Sequence, residues 1–224
     1  MTVSYEFDAA VATIRMDDGK ANVMTEGLLD GLARAFDRAE ADRAVVVLTG
    51  RGRVFSAGYD LATFQRPPSE IKRVLRHGGE VVHRILSFPF PVIAACNGHA
   101  IAQGAFTLIA ADVRIGVSGD FKIGLNEVAI GLTIPHYGVE LARARLTVPG
   151  FQHAACTGTL YAPDEALRMG FFDRVVHPSQ LMAASYEHAK ALAKLDMAAH
   201  AGTKARVRAP ALAAMRAGID TELS

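Results

Sequence analysis

Pro91-Val-Ile-Ala-Ala-Cys-Asn-Gly-His-Ala-Ile-Ala-Gln-Gly-Ala-Phe-Thr-Leu-Ile-Ala-Ala-Asp112 is the stretch whose residue types best suit chemistry. It opens as an apolar run over residues 92–96, which reads as a buried strand. Asn97-Gly98 breaks the run with a turn signal. Small residues follow at Ala100, Ala102, Gly104 and Ala105, and apolar helix formers then continue to Asp112. Strand, small-residue turn and buried helix together aim unpaired backbone N–H groups at one spot, where negative charge is favoured. From this stretch alone, a helix packed tightly on a strand accounts for the pattern equally well. Other candidate groups are scattered. Glu127 precedes an apolar run, where a glutamate is ordinarily a solvated or capping residue. His99 and His136 have the sites of ordinary packing histidines. Ser56 lacks the G-x-S-x-G elbow that a serine nucleophile would need. No CxxC, metal-spaced histidine pair or Walker-type loop is present.

A second stretch changes the weighing. Val45-Val-Val-Leu-Thr-Gly50 reads as a buried strand and leads into Arg51-Gly-Arg-Val-Phe-Ser-Ala-Gly-Tyr-Asp-Leu61. Phe55-Ser-Ala-Gly-Tyr-Asp-Leu61 and Asn97-Gly-His-Ala-Ile-Ala-Gln-Gly104 match two segments of the enoyl-CoA hydratase/isomerase (crotonase) superfamily, F-x-A-G-x-D-L and N-G-x-A-x-G-G-G. Lys20-Ala-Asn22 and Thr157-Gly158 with Asp164-Glu-Ala-Leu-Arg-Met-Gly170 match two more. Four segments in order and at the right spacing, over about residues 3–176, make the resemblance specific.

The resemblance implies an enzyme that forms an enolate from an acyl-CoA thioester, inside an oxyanion hole of two backbone N–H groups. Loss of one such donor typically costs about 3–4 kcal/mol of barrier. Carried over by position, the donors are those of Tyr59 and Gln103, with Gly104 beside the second. The family's two carboxylates fall on Phe106, where the carboxylate is missing, and on Glu127, whose Asn126-Glu-Val-Ala-Ile-Gly131 matches P-E-x-x-x-G with Asn126 in place of proline. Hydration needs two proton-handling groups. Moving a double bond from the β,γ to the α,β position needs one base, so the pattern favours an isomerase with Glu127 as that base. Hydratase, or a non-catalytic acyl-CoA binder, is the alternative. His136 is the expected second polar group of the pocket. Main-chain atoms of Ala21, Ala57, Asp60 and Leu61 are expected around the CoA adenine, with Arg51 or Arg53 available to phosphate. The CoA thioester is the substrate, and no further cofactor and no metal is implied. The resemblance also implies a homotrimer or a pair of trimers.

Composition agrees with a globular enzyme. Half of the 224 residues are hydrophobic and 21% are charged, enough for a sizeable core. A formal net charge of +1, from 24 basic and 23 acidic residues, gives no reason to expect nucleic acid or a membrane surface as partner. No secretory signal or membrane span is legible, and Cys96 and Cys156 suit buried thiols in a reducing cytoplasm.

The elements that must position these groups alternate. Residues 3–7 and 11–16 read as a hairpin, and a helix capped by Thr25 runs to about residue 42. Residues 64–69 read as a loop. A helical stripe over 71–86 follows, with Gly78-Gly79 a kink or break. Short strands are expected over 113–117 and 121–123, a helix from Pro135 to about Leu146 and another near Pro163, with Val175-Val176 closing the pattern. The fold class is therefore α/β. The resemblance makes it a crotonase-like spiral of stacked ββα units, with residues 1–178 as the core and residues 179–224 as a shortened C-terminal helical segment. A helix over 199–219 is expected to be interrupted at Pro210.

Overall fold

A computed structural model describes residues 2–224. Strands β1 (Val3–Asp8) and β2 (Val11–Met16) form the expected antiparallel hairpin. Helix α1 (Glu26–Ala41) follows; the Thr25 Oγ accepts its cap bond from the Leu28 N–H at 3.3 Å. Its buried positions Leu28, Leu29, Leu32, Phe36 and Ala39 make one stripe of helical period.

From here each unit repeats one plan. β3 (Val45–Thr49) joins the first sheet, β4 (Val54–Ser56) the second, and α2 (Pro68–Ser87) returns across the outside. β5 (Val92–Cys96), β6 (His99–Ile101) and α3 (Gln103–Ile109) repeat this, as do β7 (Val113–Val117), β8 (Ile123–Gly124) and α4 (His136–Arg145). Then come α5 (Val148–Thr157), β9 (Leu160–Tyr161), α6 (Pro163–Met169) and β10 (Arg174–Val176). The first sheet has the order β1-β2-β3-β5-β7-β10 and the second β4-β6-β8-β9. This is the spiral of stacked ββα units. Every residue of β3 and β5 is buried, the pattern of parallel strands covered on both faces.

Helices α7 (Leu181–Leu192) and α8 (Met197–Glu222) complete the chain, α7 against β3, β5 and β7, and α8 against α2 and α4. Asp112 fastens α8 to the core. One of its carboxylate oxygens meets Lys204 Nζ and the other Arg208 Nη2, each at 2.7 Å. Arg208 also donates to the Leu86 carbonyl in the last turn of α2 at 2.7 Å, where the helix dipole favours a cation. Arg216 pairs with both oxygens of Glu80 on α2, and Glu222 accepts from the His136 N–H at the start of α4.

Several expectations are corrected. Gly78-Gly79 does not break α2, which is continuous. A methyl on Gly78 would lie 1.8 Å from the Tyr59 hydroxyl oxygen, and one on Gly79 3.1 Å from the Tyr137 ring, so the glycines make room for side chains. Pro210 does not interrupt α8; it is exposed, as is Arg206, the residue one turn earlier whose carbonyl it cannot pair. α2 begins at Pro68, inside the expected loop, and a single 3-10 segment, Leu61–Gln65, precedes it. α5 was not expected, and the strand expected over 121–123 is the two-residue β8. Cys96 is buried, but Cys156 is exposed on α5. Among the described residues, no helix is long and apolar enough to cross a membrane.

Candidate active site

Three of the four segments singled out by spacing converge on the turn after β4. Asn22 donates through Nδ2 to the Val54 and Phe55 carbonyls at 2.9 and 3.1 Å. Asn97 accepts from the Gly50 N–H and donates to the Gly52 and Val54 carbonyls. Ser56 Oγ donates to the Asn22 carbonyl and accepts from the Gly58 N–H, so it is spent on structure. His99 is likewise satisfied, accepting from the Lys122 N–H at 3.0 Å.

Gly58 turns the chain with φ +88°, a conformation that favours glycine. A methyl there would lie 2.9 Å from the Ile101 carbonyl, 3.0 Å from Ala102 Cβ and 3.4 Å from the Gln103 nitrogen. The turn is thus pressed against the start of α3. The N–H of Tyr59, just after the turn, and that of Gln103, the first residue of α3, make no hydrogen bond to any described residue.

Beside these two groups opens a cavity of about 510 Å³, the size of a small-molecule site. Its wall is mostly apolar and includes Ile101, Leu75, Phe64 and Phe106. Glu127 is the only acidic, basic or histidine side chain among the lining residues. It is 6% exposed, and its Oε2 has no partner among the described residues. Burial raises its carboxyl from the ordinary 4.5 to about 7, against a smaller lowering by its own N–H. The neighbouring Asn126 Oδ1 is also buried without a partner.

Each site residue inferred from the sequence has a definite place. Tyr59, Ala57, Leu61, Phe106 and Glu127 line the cavity, with Leu61 at its exposed rim. Gln103 is absent from the wall, which its neighbour Ala102 lines, and its side chain is buried on Gly78 and Tyr137. Ala21 lies next to Ala57, whose N–H it accepts at 3.0 Å. Asp60 is exposed and caps the Leu61–Gln65 segment by accepting from the Ala62 N–H. Two placements are corrected. Gly104 is absent from the wall: it is buried in α3, where a methyl would lie 2.3 Å from the Ser56 carbonyl, so it serves the approach of helix to strand. His136 is exposed at the start of α4, and its neighbour Tyr137 is the residue turned into the cavity. Arg51 is paired with Asp17 at 3.0 Å and Arg53 stacks on the Phe121 ring.

Tyr137, Asn126 and Thr133 are the lining residues that the sequence did not mark as polar groups of the site. Tyr137 follows Pro135 by two residues, and a helix start of that kind was legible. Tyr137 faces inward and His136 is exposed, at the start of α4, where Glu222 of α8 accepts from the His136 N–H.

Comparison with known proteins agrees with this geometry. The family model for enoyl-CoA hydratase/isomerase matches residues 6–224. A putative enoyl-CoA hydratase of Thermus thermophilus is 34% identical over 212 residues, covering 92% of this chain and 81% of the relative. A Mycobacterium tuberculosis protein, described in one solved structure as an enoyl-CoA isomerase and in another as a probable enoyl-CoA hydratase, is 42% identical. It superposes with a TM-score of 0.94 over 98% of this chain and 96% of that one. The human mitochondrial delta3-delta2-enoyl-CoA isomerase is 25% identical with a TM-score of 0.95, covering all of this chain and 89% of that one. With the family model matched over nearly the whole length and two sheets wound in the same spiral, this chain belongs to the enoyl-CoA hydratase/isomerase family.

Proposed function

We propose that the protein isomerises β,γ-enoyl-CoA thioesters to their α,β isomers with Glu127 as the single acid–base group. The observation that carries this reading is the solitary, buried and unpartnered Glu127 carboxylate in a cavity where Phe106 occupies the place of a second carboxylate. A general base works best when its proton affinity is poised near the operating pH, and a value of about 7 is so poised.

The steps balance around one proton. The Glu127 carboxylate takes the proton from the α-carbon, and the electron pair delocalises over the dienolate and onto the thioester oxygen. The N–H groups of Tyr59 and Gln103 receive that developing charge. The protonated Glu127 then delivers the same proton to the γ-carbon, leaving the double bond at α,β and the carboxylate regenerated. The apolar wall keeps water from the dienolate and suits an acyl chain.

Hydration, the activity in the name of the Thermus thermophilus relative, is the second reading. It asks for a group to hold and deprotonate water besides the one that handles the α-proton. The remaining polar side chains on the wall are Asn126, Thr133, Tyr59 and Tyr137. Burial holds both phenols well above the ordinary 10, so neither is a base at neutral pH.

The test follows the conjugated enoyl thioester absorbance with each substrate. A β,γ-enoyl-CoA should gain it faster than an α,β-enoyl-CoA loses it, and Glu127→Gln should lower isomerisation about 10²–10⁴-fold with binding retained. Faster hydration than isomerisation by the unaltered protein would overturn the single-base reading. Thioester binding with neither reaction would favour the non-catalytic binder.

A further inference from the structure

The side chain of Gln103 is 1% exposed and engaged at both ends of its amide. Its Nε2 donates to the Gly78 carbonyl at 2.9 Å, and its Oε1 accepts from the Tyr137 hydroxyl at 2.8 Å. A carbonyl only accepts, so Gly78 fixes which way the amide faces. The Tyr137 proton is spent on Oε1, so in the 3.2 Å contact between the two tyrosine hydroxyls Tyr59 is the donor, its proton shared with the Leu75 carbonyl at 3.5 Å. One directed chain therefore runs from the Tyr59 hydroxyl to the Tyr137 hydroxyl, to the Gln103 amide, to the Gly78 carbonyl.

The residues at the two sides of Tyr137 matter. Tyr59 and Gln103 are the residues whose backbone N–H groups are unpaired beside the cavity, and they arrive from different segments. One follows β4 and the other starts α3. No backbone hydrogen bond joins residues 58–59 to residues 102–103. Beyond the pairing of β4 with β6, which ends at Ser56 and Ala100, three residues before each donor, their separation is held by the contact at Gly58 and this side-chain relay. The surroundings leave the relay little freedom. A methyl on Gly78 would lie 1.8 Å from the Tyr59 oxygen and 2.9 Å from Gln103 Nε2. The Tyr137 ring meets Phe106 edge-on, with centroids 6.1 Å apart.

We infer that Tyr137 is a positioning residue: by bonding the side chains of Tyr59 and Gln103 to one another, it holds their two N–H groups at the spacing that polarises a thioester carbonyl. This rests on the reading that those two groups receive the thioester oxygen. It does not depend on whether the reaction is isomerisation or hydration. A small misplacement of a catalytic group can cost about 10²-fold in rate, so loss of the relay should be read in turnover rather than in binding.

The experiment binds a saturated acyl-CoA labelled with ¹³C at the thioester carbonyl and records the isotope-edited infrared band, alongside kcat and KM. In the unaltered protein the carbonyl stretch should move to lower wavenumber than in solution, the signature of hydrogen bonds to its oxygen. In Tyr137→Phe, which keeps the ring contacts and loses only the hydroxyl, the displacement should shrink and kcat should fall about 10–10²-fold with KM little changed. Tyr59→Phe cuts the same link from its other end and is read in the same way, so a Tyr137→Phe that fails to fold leaves the inference exposed. The double variant should cost little more than Tyr137→Phe alone, because that change already removes both bonds at the centre of the relay, whereas Tyr59→Phe removes one of them. An undiminished displacement and kcat in both single variants would overturn the inference while leaving the proposed function standing. An unshifted carbonyl in the unaltered protein would overturn the oxyanion-hole reading and the inference with it.

Discussion

Replacing Glu127 by Gln should raise stability where it removes activity, and the gain should depend on pH in a calculable way. The carboxyl holds its proton up to about 7 in the folded chain, against 4.5 for an unperturbed glutamate. The folded state therefore binds this proton more tightly than the unfolded chain. Below about pH 4.5 both states are protonated and the group costs nothing. As pH rises from 4.5 to 7 the unfolded chain releases its proton first, and stability declines. Above 7 the cost is complete. At about 1.4 kcal/mol for each tenfold difference in proton affinity, the ionised carboxylate weakens the fold by about 3 kcal/mol. At 6% exposure, solvent screens little of this. Glutamine has the same shape and no charge. Glu127→Gln should thus exceed the unaltered protein by about 3 kcal/mol at pH 8, and by under about 1 kcal/mol at pH 5. For a chain of this size that is a Tm difference of about 6–12 °C at pH 8. Thermal unfolding of both proteins at the two pH values measures it. Parallel Tm profiles would refute the claim that Glu127 is buried, unpaired and ionised in the working enzyme.

Three further substitutions test the surroundings of the donors. Gly78→Ala should cost about 1–3 kcal/mol, because its methyl meets the Tyr59 oxygen at 1.8 Å, whereas Gly79→Ala, with its nearest atoms at 3.1–3.2 Å, should cost less. Equal losses in urea unfolding would contradict the packing described for α2. Ala102 is held at φ 52°, ψ −122°, a region costly for any residue with a Cβ. Ala102→Gly should therefore raise stability by about 1 kcal/mol, even after the extra freedom glycine gives the unfolded chain. A lower urea midpoint for that variant would show that the strain is not there.

Much of the site was legible because short segments carry it in their residue types and spacing, although Asn22 and Asn97 bond to residues 32 to 47 positions away, and the turn at Gly58 is written in the residue itself. The parallel strands were legible as continuous apolar runs. The misreadings have three causes: packing from a distant element, punctuation residues inside a helix, and strands too short to show a period. Glycine weakens a helix in isolation, but Gly78 and Gly79 lie in an unbroken one because Tyr59 and Tyr137 fill the space their side chains would take. α5 was missed because Pro149-Gly150 reads as punctuation, although Thr147 caps the helix and Pro149 occupies its first turn, where proline is tolerated. β4, β6, β8 and β9 are two or three residues long, too short for any periodicity to declare them.

The two departures from the glycine-rich family pattern, Ala102 and Gln103, bear on the same backbone. Ala102 accepts a strained conformation of about 1–3 kcal/mol. Its Cβ lies where a methyl on Gly58 would touch it, so it presses on the turn that carries the Tyr59 N–H. Gln103 reaches the other way, through Tyr137 and Gly78, into α4 and α2. A glycine at either position would free the chain to approach a ligand closely but would fix nothing around it. With side chains there, the donor on α3 is held from one side by contact with Gly58 and from the other by hydrogen bonds to two helices. Those helices are themselves tied to α8 through Glu80–Arg216 and through Glu222 at the His136 N–H. The position of one backbone N–H is thereby linked to the docking of the C-terminal helix, more than a hundred residues later in the sequence.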